Sequence, residues 1–323
     1  MIGELGIEGS VELARLERSG LIESRHIGAA AVVDGDGRLL RAVGDVHATI
    51  YPRSTLKPVQ AIAMLTAGAR FADDELVLAL ASHCGSPEHL AVVERMLADD
   101  ARSEQSLQCP VMWPLGREQR AARQAAGLGP TRLTMNCSGK HAGMLRASDA
   151  LAADASGYLE AEHAVQRLIL DVVEQYTGEP VRHRAWDGCG SPMPAVSLAG
   201  LARATARVAS AAEPHTQRLM SAVRAEPWAI DGRGRANTVV IERLGGLAKL
   251  GTEGLVVMAT PSGVAVAVKV LDGSMRATTP VALSLLAAES AIDNDVAAEL
   301  IDETSERVRS GDREIGRLRV SDF

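Results

Sequence analysis

Apolar positions along this chain follow two different periods. Residues 29–33 and 38–43 are short apolar runs on either side of Asp-Gly-Asp-Gly, the turn chemistry of a β-hairpin. From residue 59 to about 226 the spacing becomes helical, over 61–67, 74–81, 90–97, 141–152, 161–176 and 198–211. Turns rich in glycine and proline separate these stretches, among them Gly85-Ser86-Pro87 and Gly188-Cys189-Gly190-Ser191-Pro192. The strand pattern then returns. Residues 254–259 and 264–271 flank Thr-Pro-Ser-Gly as a second hairpin, and a helix is expected over 280–292.

Two strands, a long helical stretch, further strands and a late helix, without alternation of strand and helix, predict an α/β chain of the α+β type. Strands from both chain ends would share one antiparallel sheet, residues 1–58 and 240–323. Residues 59–239 would form a mainly helical domain, with a cleft between the two.

Composition narrows the function. Aromatic residues make up only 2% of the chain and the net charge is −7, so neither stacking platforms nor a basic stripe is present for nucleic acid or an anionic membrane. A small-molecule enzyme fits better. No basic segment followed by an apolar run opens the chain and no apolar run is long enough to span a bilayer, so a cytoplasmic location is expected. Four cysteines in such a chain suggest reduced thiols or a metal site.

Lysine usage singles out candidate chemistry. Of 34 basic residues only Lys57, Lys140, Lys249 and Lys269 are lysine. Arginine cannot release its proton, whereas lysine shifts its pKa readily, so a retained lysine marks a place where arginine would fail chemically. Ser54 and Lys57 form Ser-x-x-Lys: on a helix starting near Ser54 both lie on one face, nucleophile beside base. Ser82 and His83 follow an apolar run, and Lys249 precedes Gly251 at the start of a returning strand. Cys137, Lys140 and His141 share one turn and Cys189 another, which leaves zinc, buried thiols or a disulfide open. Asp231-Gly-Arg-Gly-Arg235 lacks a nucleotide fingerprint. It reads as a solvated loop, with Arg235 a candidate for a substrate carboxylate. Lys269, in an apolar strand, needs no special role.

These motifs resemble the rhizobial-type L-asparaginases, related in fold to serine β-lactamases and glutaminases. The resemblance runs through Arg53-Ser54-Thr55-Leu56-Lys57-Pro58, Ala81-Ser82-His83, residues 136–144 (Asn-Cys-Ser-Gly-Lys-His-Ala-Gly-Met), Asp187-Gly188-Cys189 and residues 246–251. It implies hydrolysis of L-asparagine to L-aspartate and ammonia, Ser54–Lys57 and Ser82–Lys249 pairs, and a zinc ion on Cys137, Lys140 and Cys189. It also implies a homodimer. Arg53, His83, Asp187 and Arg235 stand as candidates for binding the substrate. The rivals are a glutaminase- or β-lactamase-like amidohydrolase and a non-catalytic, zinc-stabilised binding protein.

Overall fold

Both hairpins expected from the apolar runs become the centre of one antiparallel sheet. The structure, a computed structural model, describes residues 3–323. Its strands are, in chain order, β1 (Val11–Arg18), β2 (Leu21–Val33), β3 (Leu39–Val43), β4 (Thr49–Ile50), β5 (Arg184–Trp186), β6 (Pro192–Pro194), β7 (Val196–Ser197), β8 (Leu247–Gly251), β9 (Leu255–Ala259), β10 (Ala265–Val270), β11 (Val308–Ser310) and β12 (Arg313–Val320). The main sheet runs β11-β12-β1-β2-β10-β9-β8. At 13 residues β2 is long enough for β1 to pair with one half of an edge and β3 with the other.

The two chain ends meet where β2 pairs with β10, in the register Ala29↔Lys269 and Ala31↔Ala267. Every residue of β9 is buried, as are all of β10 except Lys269. Such continuous apolar runs are what strands covered on both faces require.

Among the described residues there are eleven α-helices: α1 (Lys57–Thr66), α2 (Asp73–Ala79), α3 (Pro87–Asp99), α4 (Arg117–Ala125), α5 (Ser138–Ala150), α6 (Ala164–Thr177), α7 (Leu198–Ala209), α8 (Pro214–Ala225), α9 (Ala236–Leu244), α10 (Thr278–Ala288) and α11 (Asn294–Thr304). α7 and α10 both pack on β9 and β10, and α1, α2, α5 and α6 pack on one another. None is long and apolar enough to cross a membrane.

Two departures from the expected pattern matter for function. The helix expected over 74–81 stops at Ala79, so residues 81–84 are released as extended chain. The helix expected near Ser54 begins as a 3-10 turn, Arg53–Leu56, and becomes α1 at Lys57. Pro58 then sits in the first turn of α1, where no intrahelical bond is lost.

Candidate active site

Ser82 lies on the extended segment after α2, held on both sides. Its N–H donates to Ile230 O (3.0 Å) and the Cys84 N–H to Asp231 O (2.8 Å), while the His83 N–H between them donates to Asn136 O (3.1 Å). These backbone bonds pin the Ser82 hydroxyl in the interior, where 9% of the residue is exposed. Close packing completes the mount. A Cβ at Gly139, in the first turn of α5, would come within 2.5 Å of Leu78 O, so only glycine lets α5 approach the end of α2.

Two lysines from distant parts of the chain converge on that hydroxyl. Lys57, at the first position of α1, donates to Ser82 Oγ (3.0 Å), to Cys137 Sγ (3.0 Å) and to Ala81 O. Three acceptors match the three N–H donors of an ammonium. From β8, Lys249 donates to Ser82 Oγ (2.8 Å) and to Leu250 O (2.8 Å). It is fully buried. Burial first, then the charge of Lys57, pull its pKa from 10.5 down to about 7. Gly251, two residues on, lets β8 pass under the Arg53–Leu56 turn, since a Cβ there would lie 3.0 Å from the Thr55 side chain.

The Ser82–Lys249 pair expected from the resemblance is therefore formed. Ser54 and Lys57 are differently arranged: among the described residues no hydrogen bond joins them, and the Lys57 amine points to Ser82 instead. Ser54 is 8% exposed. The residue before it, Arg53, has φ of +49°, a left-handed conformation that a non-glycine residue adopts only under constraint. Arg53 Nε bonds Asp187 Oδ1 at 3.0 Å, so two of the four expected substrate-binding residues are brought together. They wall a recess of about 10 Å³ shared with Lys57, Gln60 and Lys140.

The other two are placed differently. His83 is fully buried, with Nε2 2.9 Å from Ser138 Oγ, and burial holds its pKa well below the usual imidazole range, with the charges of His89 and Lys57 adding to the effect. The ring is thereby held neutral and anchors the residue next to Ser82 to Ser138. Arg235 is tied to Asp231, Nε to Oδ1 at 2.5 Å, and the supposed solvated loop begins with a carboxylate only 3% exposed.

Asp231 is the residue of this cluster whose place sequence reasoning missed. Its backbone carbonyl receives the Cys84 N–H. Its Oδ2 accepts from Asn237 Nδ2 (3.2 Å), and Asn237 Oδ1 in turn accepts the Leu250 N–H (2.9 Å). One residue thus ties the Ser82 segment to the strand carrying Lys249. The only sign in the sequence is an aspartate directly after apolar Ala229-Ile230.

The Cys137, Lys140 and Cys189 side chains also converge. All four cysteines are free and buried. Lys140 Nζ donates to Cys189 Sγ (3.1 Å). A hydrogen bond from the Cys137 thiol, against the effect of burial and with help from the Lys140 charge, holds the Cys189 thiol far below its ordinary value. The same bond, followed by burial, pushes Cys137 up. Burial lowers the Lys140 amine, but the charges of Cys189, Cys137 and Asp187 together outweigh it and raise the pKa.

Two thiols and one amine make up this cluster. His141 Nδ1 bonds Tyr158 Oη (2.8 Å), while its Nε2 is buried without a hydrogen-bond partner of ordinary geometry. Among the described residues no three His, Cys, Asp or Glu side chains are grouped closely enough to hold a metal; a zinc ion here would need the Lys140 amine, stripped of its extra proton, beside the two sulfurs.

Comparison with known proteins places the chain. No curated protein matches it. Among solved structures it is similar to a β-lactamase (Mb2281c) from Mycobacterium bovis at 17% identity, covering 81% of this chain and 94% of that one, with a TM-score of 0.44. It is also similar to Mglu at 17% identity, covering 81% of this chain and 66% of that one, with a TM-score of 0.35. The model of the L-asparaginase II family matches residues 14–320. That membership implies an amidohydrolase of the asparaginase kind acting on a small-molecule amide. With all but the ends of its sequence matched, the chain belongs to the L-asparaginase II family.

Proposed function

We propose that the protein hydrolyses L-asparagine to L-aspartate and ammonia through an acyl-serine at Ser54, with Ser82 carrying protons between two lysines. The observation that carries this reading is the Ser82 hydroxyl, which accepts an N–H from Lys57 at 3.0 Å and from Lys249 at 2.8 Å. A hydroxyl between two amines can receive a proton from one while giving its own to the other. Lys249, with a pKa of about 7, is the group able to end the relay as a neutral acceptor.

Ser54 Oγ bonds to the side-chain amide carbon, and its proton passes to Lys57 as Lys57 gives one to Ser82 and Ser82 gives one to Lys249. The net result is one proton moved from Ser54 to Lys249. When the tetrahedral adduct collapses, the C–N bond breaks and the proton returns along the same path to the leaving nitrogen, releasing ammonia. Water then attacks the ester carbon, freeing L-aspartate and restoring Ser54. Arg53 and Asp187 stand ready for the substrate's carboxylate and ammonium groups. Cys137, Lys140 and Cys189 would hold zinc, which when bound supplies a fixed positive charge beside the recess.

Ammonia release from a panel of amides tests the proposal. Turnover of L-asparagine is expected to exceed that of L-glutamine many-fold. Comparable glutamine turnover overturns the substrate, and no ammonia from any amide overturns the reaction in favour of a binding protein.

A further inference from the structure

Lys269 is the one lysine that this reaction does not use. It interrupts an otherwise buried strand, where a charged side chain is costly unless it has partners. Its amine donates to the carbonyls of Glu253 and Val270, which leaves the third N–H of an ammonium for something else. It faces a cavity of about 430 Å³, on the scale of a small-molecule site.

The cavity wall is chemically specific. It carries two cations, Arg53 and Lys269, and two carboxylates, Glu4 and Glu253. Tyr51 and His183, joined through Oη and Nε2 at 2.8 Å, add a further polar side. Paired positive and negative charges in one hollow complement a zwitterion rather than a simple anion or cation. None of Ser54, Ser82, Lys57 and Lys249 lines it. Arg53 lines both this cavity and the recess beside Lys57 and Asp187.

We propose that this cavity is a non-catalytic binding site for one zwitterionic α-amino acid, whose carboxylate meets Lys269 and Arg53 and whose ammonium meets Glu253 and Glu4. The choice of an amino acid rests on the amide-hydrolase reading, in which the product is one. Occupancy places an amino acid beside Arg53, which also lines the small recess with Lys57 and Asp187.

Equilibrium binding of L-aspartate to the full chain, followed by calorimetry, tests the site without relying on turnover. The wild type is expected to bind with a component that weakens at least tenfold in Lys269→Met. Glu253→Gln, a change at an exposed position that leaves the strand intact, is expected to weaken the same component. Identical stoichiometry and affinity in all three proteins overturns the proposal. Failure to release ammonia from asparagine would overturn the reaction alone, because a Lys269-dependent component is measured whether or not the enzyme turns over.

Discussion

Replacing Lys249 by Met keeps the length of the buried stem and removes the amine, and its consequences can be worked through in numbers. In the native fold the Lys249 pKa is about 7 instead of 10.5, burial being the first cause. At 1.36 kcal/mol per unit, that difference sets about 5 kcal/mol against the charged form. A lowered lysine pKa means that the unfolded chain binds the extra proton between pH 7 and 10.5. Native stability therefore rises with pH through that window, by up to about 1.4 kcal/mol per unit, and is flat below it on account of this group. The Met variant loses that slope. At pH 7 it escapes most of the penalty and forfeits two hydrogen bonds, to Ser82 and Leu250 O, worth about 1 kcal/mol each. A net gain of about 2 kcal/mol is expected together with a loss of activity of at least 10²-fold. Urea unfolding of both proteins at pH 6, 7, 8 and 9, alongside ammonia release, checks this. A Met variant less stable than the wild type at pH 7, with parallel stability curves above it, refutes the picture of a buried neutral amine at Ser82.

Lys57→Arg keeps a positive charge but removes a group able to give up its proton, and a planar guanidinium does not reproduce contacts to Ala81, Ser82 and Cys137. A fall of 10²-fold or more in kcat with an unchanged circular dichroism spectrum is expected, and substantial turnover would remove Lys57 from the relay. Asp231→Asn is expected to cost about 1 to 3 kcal/mol, because the buried partner of Arg235 is lost. It should also shift the alkaline-rising limb of the rate profile to lower pH, since the Asp231 charge raises the Lys249 pKa; a shift to higher pH would contradict that role. Protein purified without chelator should carry one zinc per chain by elemental analysis, with affinity falling as pH falls because each ligand must shed its proton. A Cys189→Ser variant should lose the metal, whereas metal-free wild type with Cys137 and Cys189 joined as a disulfide would sink the assignment.

Local order along the chain determined a good part of this protein. Apolar runs around tight turns are enough to place β2 against β3 and β9 against β10, because a hairpin needs only neighbouring residues. The helical period located α1, α2, α3, α5, α6, α7 and α10 for the same reason. The short motifs identified the family, and the scarcity of lysine marked Lys57, Lys140 and Lys249 for attention before any geometry was known.

What the tertiary structure decided lies in contacts between distant segments. β1, β11 and β12 are half-exposed strands rich in charged residues, and with one face open they show no continuous apolar run to betray them. Ser82 meets Lys57 across 25 positions and Lys249 across 167, and no spacing rule reaches that far. Asp231 looked like the first residue of a polar loop because burial belongs to the packed fold, where Ile230 and Asp231 lie against residues 82–84. Lys269 looked ordinary because a cavity is made by surfaces from separate elements. Sequence supplies the residue able to lose a proton; only the folded chain supplies the low-dielectric surroundings and the neighbouring charge that bring its pKa near 7.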